Sequence, residues 1–537
     1  MIAARSLALR GDIPSVASTP DLQPMPSPTP RTQSASPEPV NAPNQAASDY
    51  AAHLTQHIDG RTARIGVIGL GYVGLPLAVA LAEQGFPVTG MDVNPDKVAR
   101  MRAGRSPIED IPDAQLAAVL SNGRLRLTTE PDSLIECAAH FVCVPTPFDR
   151  HKTPDLSYVI SAAEQLAAHL APGALVVLQS TTYPGTTSEV FLPRLERDGR
   201  RVGQDFFLAF SPERIDPGVP EHTVLNTPKV VGGVTPTCGA LAEALLGTLG
   251  TAVHRVSSPA VAEMTKLLEN TFRNVNIALV NELALLCERM GLDIWEVIDA
   301  AATKPFGFMP FRPGAGVGGH CIPIDPYYLS WKAREYDFPT RFIELAGDVN
   351  GRMPHHVAEL VTEALGRHDL AVAGARVLVL GVAFKPNVDD ARHSPAERVI
   401  ALLRARGANV AYHDPHVTHF EVGGDVFLSE RQVVPRVALD EQVLEFADAV
   451  VILARHDAVD YARVCTHARL VIDTSNATRG IDLHPGNLKA DILRLGSPHA
   501  DQIKQHSAAT PSQQGASPWP SSNASASPSA TGPHARS

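Results

Sequence analysis

Several features that would each mark a different kind of protein are missing from this 537-residue sequence. No apolar run approaches the roughly 18 residues that crossing a bilayer takes, so no membrane span is expected. Basic residues are not in excess: Lys and Arg total 46 against 57 Asp and Glu, a formal net charge of −11. That balance argues against nucleic acid or an anionic membrane as partner. The six cysteines (Cys137, Cys143, Cys238, Cys287, Cys321, Cys465) include no CxxC pair, and no His-rich ligand spacing accompanies them. Neither a disulfide framework nor a metal site is expected, and a reducing cytoplasm is the expected compartment. The opening MIAARSLALRGDIPS is broken by Arg5 and Arg10 and lacks an apolar core, so no signal peptide is read there. Anionic ligands must be held locally, by individual cations or backbone amides.

What is present suits a globular enzyme: 44% hydrophobic and 19% charged residues, in a chain too long for one core. Residues 1–60 and the stretch after 500 are rich in Pro, Ser, Ala, Gln and Thr, and both are expected to be disordered tails. Between them, short apolar runs alternate with helical patterns. ARIGVI, PVTGMD, HFVCVPTP, ALVVLQST and FFLAFSPER read as buried strands, and LPLAVALAEQG as a helix ending at Gly85. RVLVLGVAFKPN, VAYHDP, ADAVVILARHD and ARLVIDTSN repeat the pattern later. The predicted class is α/β, with two Rossmann-like doubly wound units. A helix over 259–290 joins them, capped by Ser258, begun by Pro259 and ended by Gly291.

The chemistry lies in a few motifs. Gly69-Leu-Gly71-Tyr72-Val73-Gly74 follows a strand and opens a helix, and Asp92 closes the next strand. This context specifies dinucleotide binding, with Asp92 on the ribose hydroxyls. An acidic residue there, with no arginine among Val93, Asn94 and Pro95, favours NAD over NADP. Cys321 follows four glycines between Gly314 and Gly319 and precedes Asp325 by four residues. Glycines let backbone approach a ligand closely, and a thiol in that place can act as a covalent nucleophile once ionised. Lys266 and Asn270, at i and i+4, share a helix face; near Cys321 the lysine would lower the thiol's pKa and hold an oxyanion, and otherwise the pair is a solvated stripe. Ser180-Thr181 and Ser211-Pro-Glu213-Arg214 end strands, where doubly wound sheets bind ligands, although ordinary loop residues stand there too. Lys385 and Arg392 flank Asp389 and Asp390, as a phosphate clamp or as a surface ion network.

Taken together, GLGYVGLP, FVCVPTP, QSTTYPGTT, FSPERIDPG, EMTKLLENTFRNVNIALVNE, GVGGHCIPIDP and GVAFKPNVDDARHSP resemble the nucleotide-sugar 6-dehydrogenase family, over about residues 63–495. QSTTYPGTT departs from the family pattern after Ser-Thr but keeps Thr181. Between the tails that composition predicts over 1–60 and 501–537, the resemblance implies an NAD-binding Rossmann domain over 61–255 and a central dimerisation and catalytic region over 256–365. A UDP-binding Rossmann-like domain over 366–500 completes it. It implies Cys321 as nucleophile, Lys266 and Asn270 at an oxyanion, and Asp325, Glu213 and Thr181 in proton and water handling. NAD is held by Gly69, Gly71, Tyr72, Val73, Gly74, Asp92 and Thr146, and the UDP-sugar by Arg312, Gly318, Gly319, Lys385 and Arg392. The implied reaction is a four-electron oxidation of C6 to the uronic acid through a thiohemiacetal and a thioester on Cys321. Residues 304–312 and 322–329 look most like members that oxidise UDP-N-acetylglucosamine. UDP-glucose and UDP-N-acetylmannosamine are the alternatives. Two other readings compete: a single-step β-hydroxyacid dehydrogenase, and a binding protein that has lost its chemistry.

Overall fold

The computed structural model describes residues 45–498, apart from 109, 149–152, 217–221, 425–429 and 482–489. Four-residue apolar runs make most of the first sheet, because each is buried on both faces. Its eight strands lie in the order Leu125–Thr128, Val88–Met91, Ile65–Ile68, Ala139–Val142, Leu175–Leu178, Phe207–Phe210, Lys229–Gly233, Val253–Val256. All neighbours are parallel except Phe207–Phe210 with Lys229–Gly233. In chain order the first six strands run 3-2-1-4-5-6, the arrangement of two mononucleotide-binding halves. Ile65 pairs with Val88 on one side and Ala139 on the other, so the order reverses beside Ile65–Ile68. A ligand is expected outside the carboxyl ends at that point.

The second sheet is wholly parallel: Asn409–His413, Arg376–Leu380, Ala449–Ile452, Leu470–Asp473, Asp491–Arg494. This is the 2-1-3-4-5 order, with its own reversal between Arg376–Leu380 and Ala449–Ile452. Between the sheets in sequence runs the helix Pro259–Met290, 32 residues or about 48 Å long. Ser258 caps it by accepting from Val261 N, and Gly291 ends it at φ 71°. These are the expected limits. Its partner is the helix Arg341–Arg367, which sequence patterning did not single out.

One expectation is corrected. Residues 1–60 do not read uniformly as a tail, since Gln45–Asp59 forms a helix that buries Ala47, Leu54 and Ile58. It packs against the helix Pro236–Gly247, and Tyr50 sits so close to Gly173 that a Cβ there would meet its ring at 2.8 Å. Bulk composition hid apolar residues at helical spacing. Residues 1–44 and the tail expected over 501–537 lie outside the described residues. The strands Lys229–Gly233, Val253–Val256 and Asp491–Arg494 also went unread, because their glycines and charges mask the pattern. No described helix is long and apolar enough to cross a membrane.

Candidate active site

The glycine turn separates into two jobs. A Cβ on Gly74 would lie 1.9 Å from Gly69 O, and one on Gly69 would lie 2.7 Å from Cys143 O. Those two glycines are required by the chain itself. Around Gly71 nothing stands within 4 Å, so that position keeps open space beside the backbone. The helix Gly74–Glu83 starts there without a side-chain cap, leaving N–H groups for an anion. Asp92 accepts from Leu70 N at 3.0 Å, Asn94 N at 3.1 Å and Lys97 Nζ at 2.8 Å. Burial raises its pKa, but these donors outweigh burial and hold the carboxyl below its ordinary value. Lys97 went unnoticed in the sequence; its ammonium offsets the charge of Asp92. The open Gly71 cradle and the buried carboxylate fit a dinucleotide.

Two cavities meet behind this turn. One, about 360 Å³, is lined by Gly71, Tyr72, Val73, Thr146, Thr181 and Glu213 among others. The other, about 440 Å³, opens at the reversal point of the second sheet and is lined by Arg312, Gly318, Lys385, Arg455 and Ser475 among others. Both sizes suit nucleotide-like ligands. Ile215, Lys266, His320 and Cys321 line both. The thiol therefore stands in the common wall.

Lys266 and Asn270 are buried on the face of Pro259–Met290 that meets the cysteine loop. Asn270 Nδ2 donates to Asp325 Oδ2 at 2.6 Å. Asp325 begins the helix Asp325–Ala333, and its N–H donates to Cys321 O at 2.8 Å. Burial pushes the Asp325 carboxyl up to about 6, against Lys266 and Asn270. Burial and the Asp325 charge push the Cys321 thiol up to about 12. Lys266 and Arg392 pull the other way, and so does Arg273, without winning. The expected net lowering of the thiol's pKa is thus corrected: desolvation exceeds the lysine's field.

Glu213 pairs with the fully buried Lys229, whose Nζ donates to both carboxyl oxygens at 2.8 and 3.0 Å. Thr146 Oγ1 donates to Thr181 O at 2.7 Å, and Tyr328 donates its hydroxyl to Thr146 O. Arg312 lies at the rim of the larger cavity, paired with Asp299 at 2.5 Å. Lys385 lines that cavity and pairs with Asp216 at 2.8 Å. Arg392 does not join it there. It lines the smaller cavity, stacked 4.9 Å over the Tyr72 ring and held by Asp390. His320 Nδ1 accepts from Arg392 at 3.2 Å; burial, with Arg392's charge, holds that imidazole down to about 4.

Gly318 and Gly319 have protein, not open space, beside them. A Cβ on Gly318 would lie 2.8 Å from Pro395 Cδ and 2.9 Å from Phe384 Cβ, and Gly319 at φ +87° faces the Phe384 ring. Close approach here is to residues 384–395, which carry both Lys385 and Arg392. Asparagines brace the same loop: Gly314 N donates to Asn281 Oδ1, Asn281 to Asn350, and Asn350 to Asn274. Sequence reading missed this ladder and Arg273, which lines the larger cavity. The signal was available as periodicity, since Lys266, Asn270, Arg273, Asn274 and Asn281 recur at helical spacing.

Models of the UDP-glucose/GDP-mannose dehydrogenase family match the chain three times: the NAD binding domain at residues 63–249, the central domain at 260–352 and the UDP binding domain at 378–480. A UDP-N-acetyl-D-glucosamine 6-dehydrogenase of Pseudomonas aeruginosa is 41% identical over 357 residues, 66% of this chain and 83% of that one. A UDP-N-acetyl-D-mannosamine dehydrogenase of Pyrococcus horikoshii is 38% identical over 396 residues, 73% and 89% of the two chains. Among solved structures, the UDP-D-ManNAc dehydrogenase of Pyrococcus horikoshii superposes with a TM-score of 0.72 at 34% identity, covering 81% of this chain and 99% of that one. A UDP-glucose dehydrogenase from Pyrobaculum islandicum gives 0.70 at 28% identity, covering 81% and 98%.

Proposed function

The chain belongs to the UDP-glucose/GDP-mannose dehydrogenase family and is an NAD-dependent UDP-sugar dehydrogenase, and on that premise we propose that it oxidises C6 of UDP-N-acetylglucosamine to the carboxylate through Cys321. The position of Cys321 and Lys266 in the wall common to both cavities carries this reading. The overall balance is one hydroxymethyl group, one water and two NAD consumed, giving one carboxylate, two NADH and three protons. Bound NAD supplies the hydride acceptor for each of the two oxidations. Gly69, Gly71, Tyr72, Val73, Gly74, Asp92 and Thr146 hold it.

The chain's own groups do the rest. The Cys321 sulfur forms a bond to C6 at the aldehyde level, and its proton passes to Asp325, a carboxylate that titrates near neutrality. Lys266 and Asn270 donate to the oxygen that becomes anionic. The covalent bond keeps a reactive aldehyde from escaping and divides the oxidation into easier steps. Glu213 and Thr181 hold the water that cleaves the thioester, which returns the thiol. Lys385, Arg312, Gly318 and Gly319 form the UDP-sugar side, while Arg392 stays with the smaller cavity and holds His320 of the common wall.

The substrate choice follows the 41% relative, and UDP-N-acetylmannosamine is the second reading because that relative matches over a longer span. Purified protein given UDP-N-acetylglucosamine, UDP-N-acetylmannosamine, UDP-N-acetylgalactosamine and UDP-glucose should release two NADH per sugar, fastest with the first. One NADH per sugar contradicts the four-electron assignment, and a faster rate with another sugar reassigns the substrate.

A second copy of this chain is the proposed partner, in the cytoplasm. Leu268, Phe272, Leu279, Leu283, Leu286 and Met290 form an exposed apolar stripe along Pro259–Met290 at helical spacing. Such a self-complementary stripe suits a two-fold dimer. Light scattering should give twice the chain mass, and Leu279→Glu with Leu286→Glu should halve it. A wild-type monomer contradicts the pairing.

A further inference from the structure

Gln179 follows the strand Leu175–Leu178 at its carboxyl end and lines the smaller cavity, beside Thr181, Glu213 and Cys321. Only 2% of the residue is exposed. Its two amide atoms are treated unequally. Oε1 accepts from the Cys143 thiol at 3.2 Å, whereas Nε2 has no partner among the described residues. Cys143 sits in the same wall, with the Gly69 turn pressed against its carbonyl. Burial raises its thiol pKa, so the thiol keeps a proton to donate. That donation fixes the amide with Oε1 toward sulfur and Nε2 turned away from it. Buried donors are rarely left unpaired in native proteins, so this one calls for an acceptor from outside the chain. Thr182 Oγ1 is likewise unpaired but lines neither cavity.

The strand order indicates which ligand part arrives there. Asp92 follows Val88–Met91, Gly69 to Gly71 follow Ile65–Ile68, Thr146 lies past Ala139–Val142, and Gln179 follows Leu175–Leu178. These four strands are consecutive neighbours in the sheet. A dinucleotide with its adenosine ribose at Asp92 and its pyrophosphate at Gly71 sends its remaining half past Thr146 toward Gln179 and Cys321. We propose that the Gln179 amide, oriented by the Cys143 thiol, donates through Nε2 to the nicotinamide half of NAD and so positions it beside Cys321. Gln179 is then a cofactor-binding residue that neither the glycine motif nor the Asp92 rule reveals. The inference rests on the NAD reading of the same cavity.

Gln179→Met keeps the length of the side chain and removes both hydrogen-bonding atoms. Titration calorimetry of the full chain, without sugar nucleotide, compares NAD with ADP-ribose, which lacks the nicotinamide ring. The Kd for NAD should rise about two- to tenfold in the variant, the range for loss of one hydrogen bond, while the Kd for ADP-ribose stays unchanged. Because Nε2 is unpaired without ligand and only the weak thiol bond to Oε1 is lost with it, the melting temperature of the ligand-free variant should stay close to that of the parent. Cys143→Ala supplies the same comparison if Gln179→Met does not fold, since it frees the amide to rotate and should weaken NAD alone. Equal weakening of both ligands, or an unchanged Kd for NAD, overturns the role of Gln179. Failure of the parent protein to bind either ligand overturns the cofactor reading itself.

Discussion

Asp325 and Cys321 are one helical turn apart, and their proton affinities set the pH behaviour of the reaction. With Asp325 titrating at about 6 and the thiol at about 12, the neutral protein holds a carboxylate next to a thiol. The carboxylate is the group able to take the sulfur's proton. The rate should rise with pH through about 6, as Asp325 ionises. Asp325→Asn should remove that limb and lower kcat by roughly 10²–10⁴-fold, with NAD binding retained. An unchanged acid limb in the variant would assign it to another group. Cys321, Lys266 and Asn270 could be named as candidates from the sequence because each stands in a short local pattern, while their meeting in one wall needed the fold. Lys229 could not, since it reaches Glu213 from a different strand, and Asn350 meets Asn281 across 69 residues of chain.

At the scale of elements, glycines that look alike in the sequence carry different loads. Gly71→Ala places its Cβ in open space, so it should fold normally and weaken NAD binding. Gly74→Ala drives a Cβ onto the Gly69 carbonyl and should cost stability, by about 1–3 kcal/mol for overpacking. Paired melting curves and NAD titrations separate the two. Comparable melting losses in both would contradict the division of roles. The helix Pro259–Met290 was readable to its ends because Ser258, Pro259 and Gly291 are strong local signals. The helix Gln45–Asp59 was hidden in a polar, proline-rich stretch, and its stability comes from docking on Pro236–Gly247. Gly318 and Gly319 were read as ligand-facing, and only the fold revealed Phe384 and Pro395 against them.

The whole molecule joins two sheets, one wholly and one mostly parallel, whose reversal points supply one cavity each. Alternating apolar runs made that architecture readable, whereas the common wall at Cys321 depends on tertiary contacts. Folding also buries a cost in the first sheet. His140 is fully buried, and burial holds its imidazole down to about 4 against a hydrogen bond with the Cys137 backbone. An unfolded histidine titrates near 6.5, so between these values the unfolded chain binds the extra proton. The stability concerned is complete above about pH 6.5 and is lost as pH falls toward 4, by about 3 kcal/mol in all. Asp325 acts in the opposite sense, since its raised pKa favours the fold at low pH and that contribution is lost as pH rises through about 6. Comparing His140→Leu with the parent isolates the histidine: its melting temperature should fall less between pH 7 and 5. Parallel pH curves would show that His140 does not carry the difference.

Acid-quenched mass spectrometry of the protein during turnover of UDP-N-acetylglucosamine with NAD reaches the proposed chemistry most directly. With Glu213→Gln slowing hydrolysis, a UDP-uronyl mass should appear on the peptide that contains Cys321, and Cys321→Ala should abolish both adduct and acid. Acid formation at the parent's rate in Cys321→Ala, or an adduct on a different residue, would contradict the account.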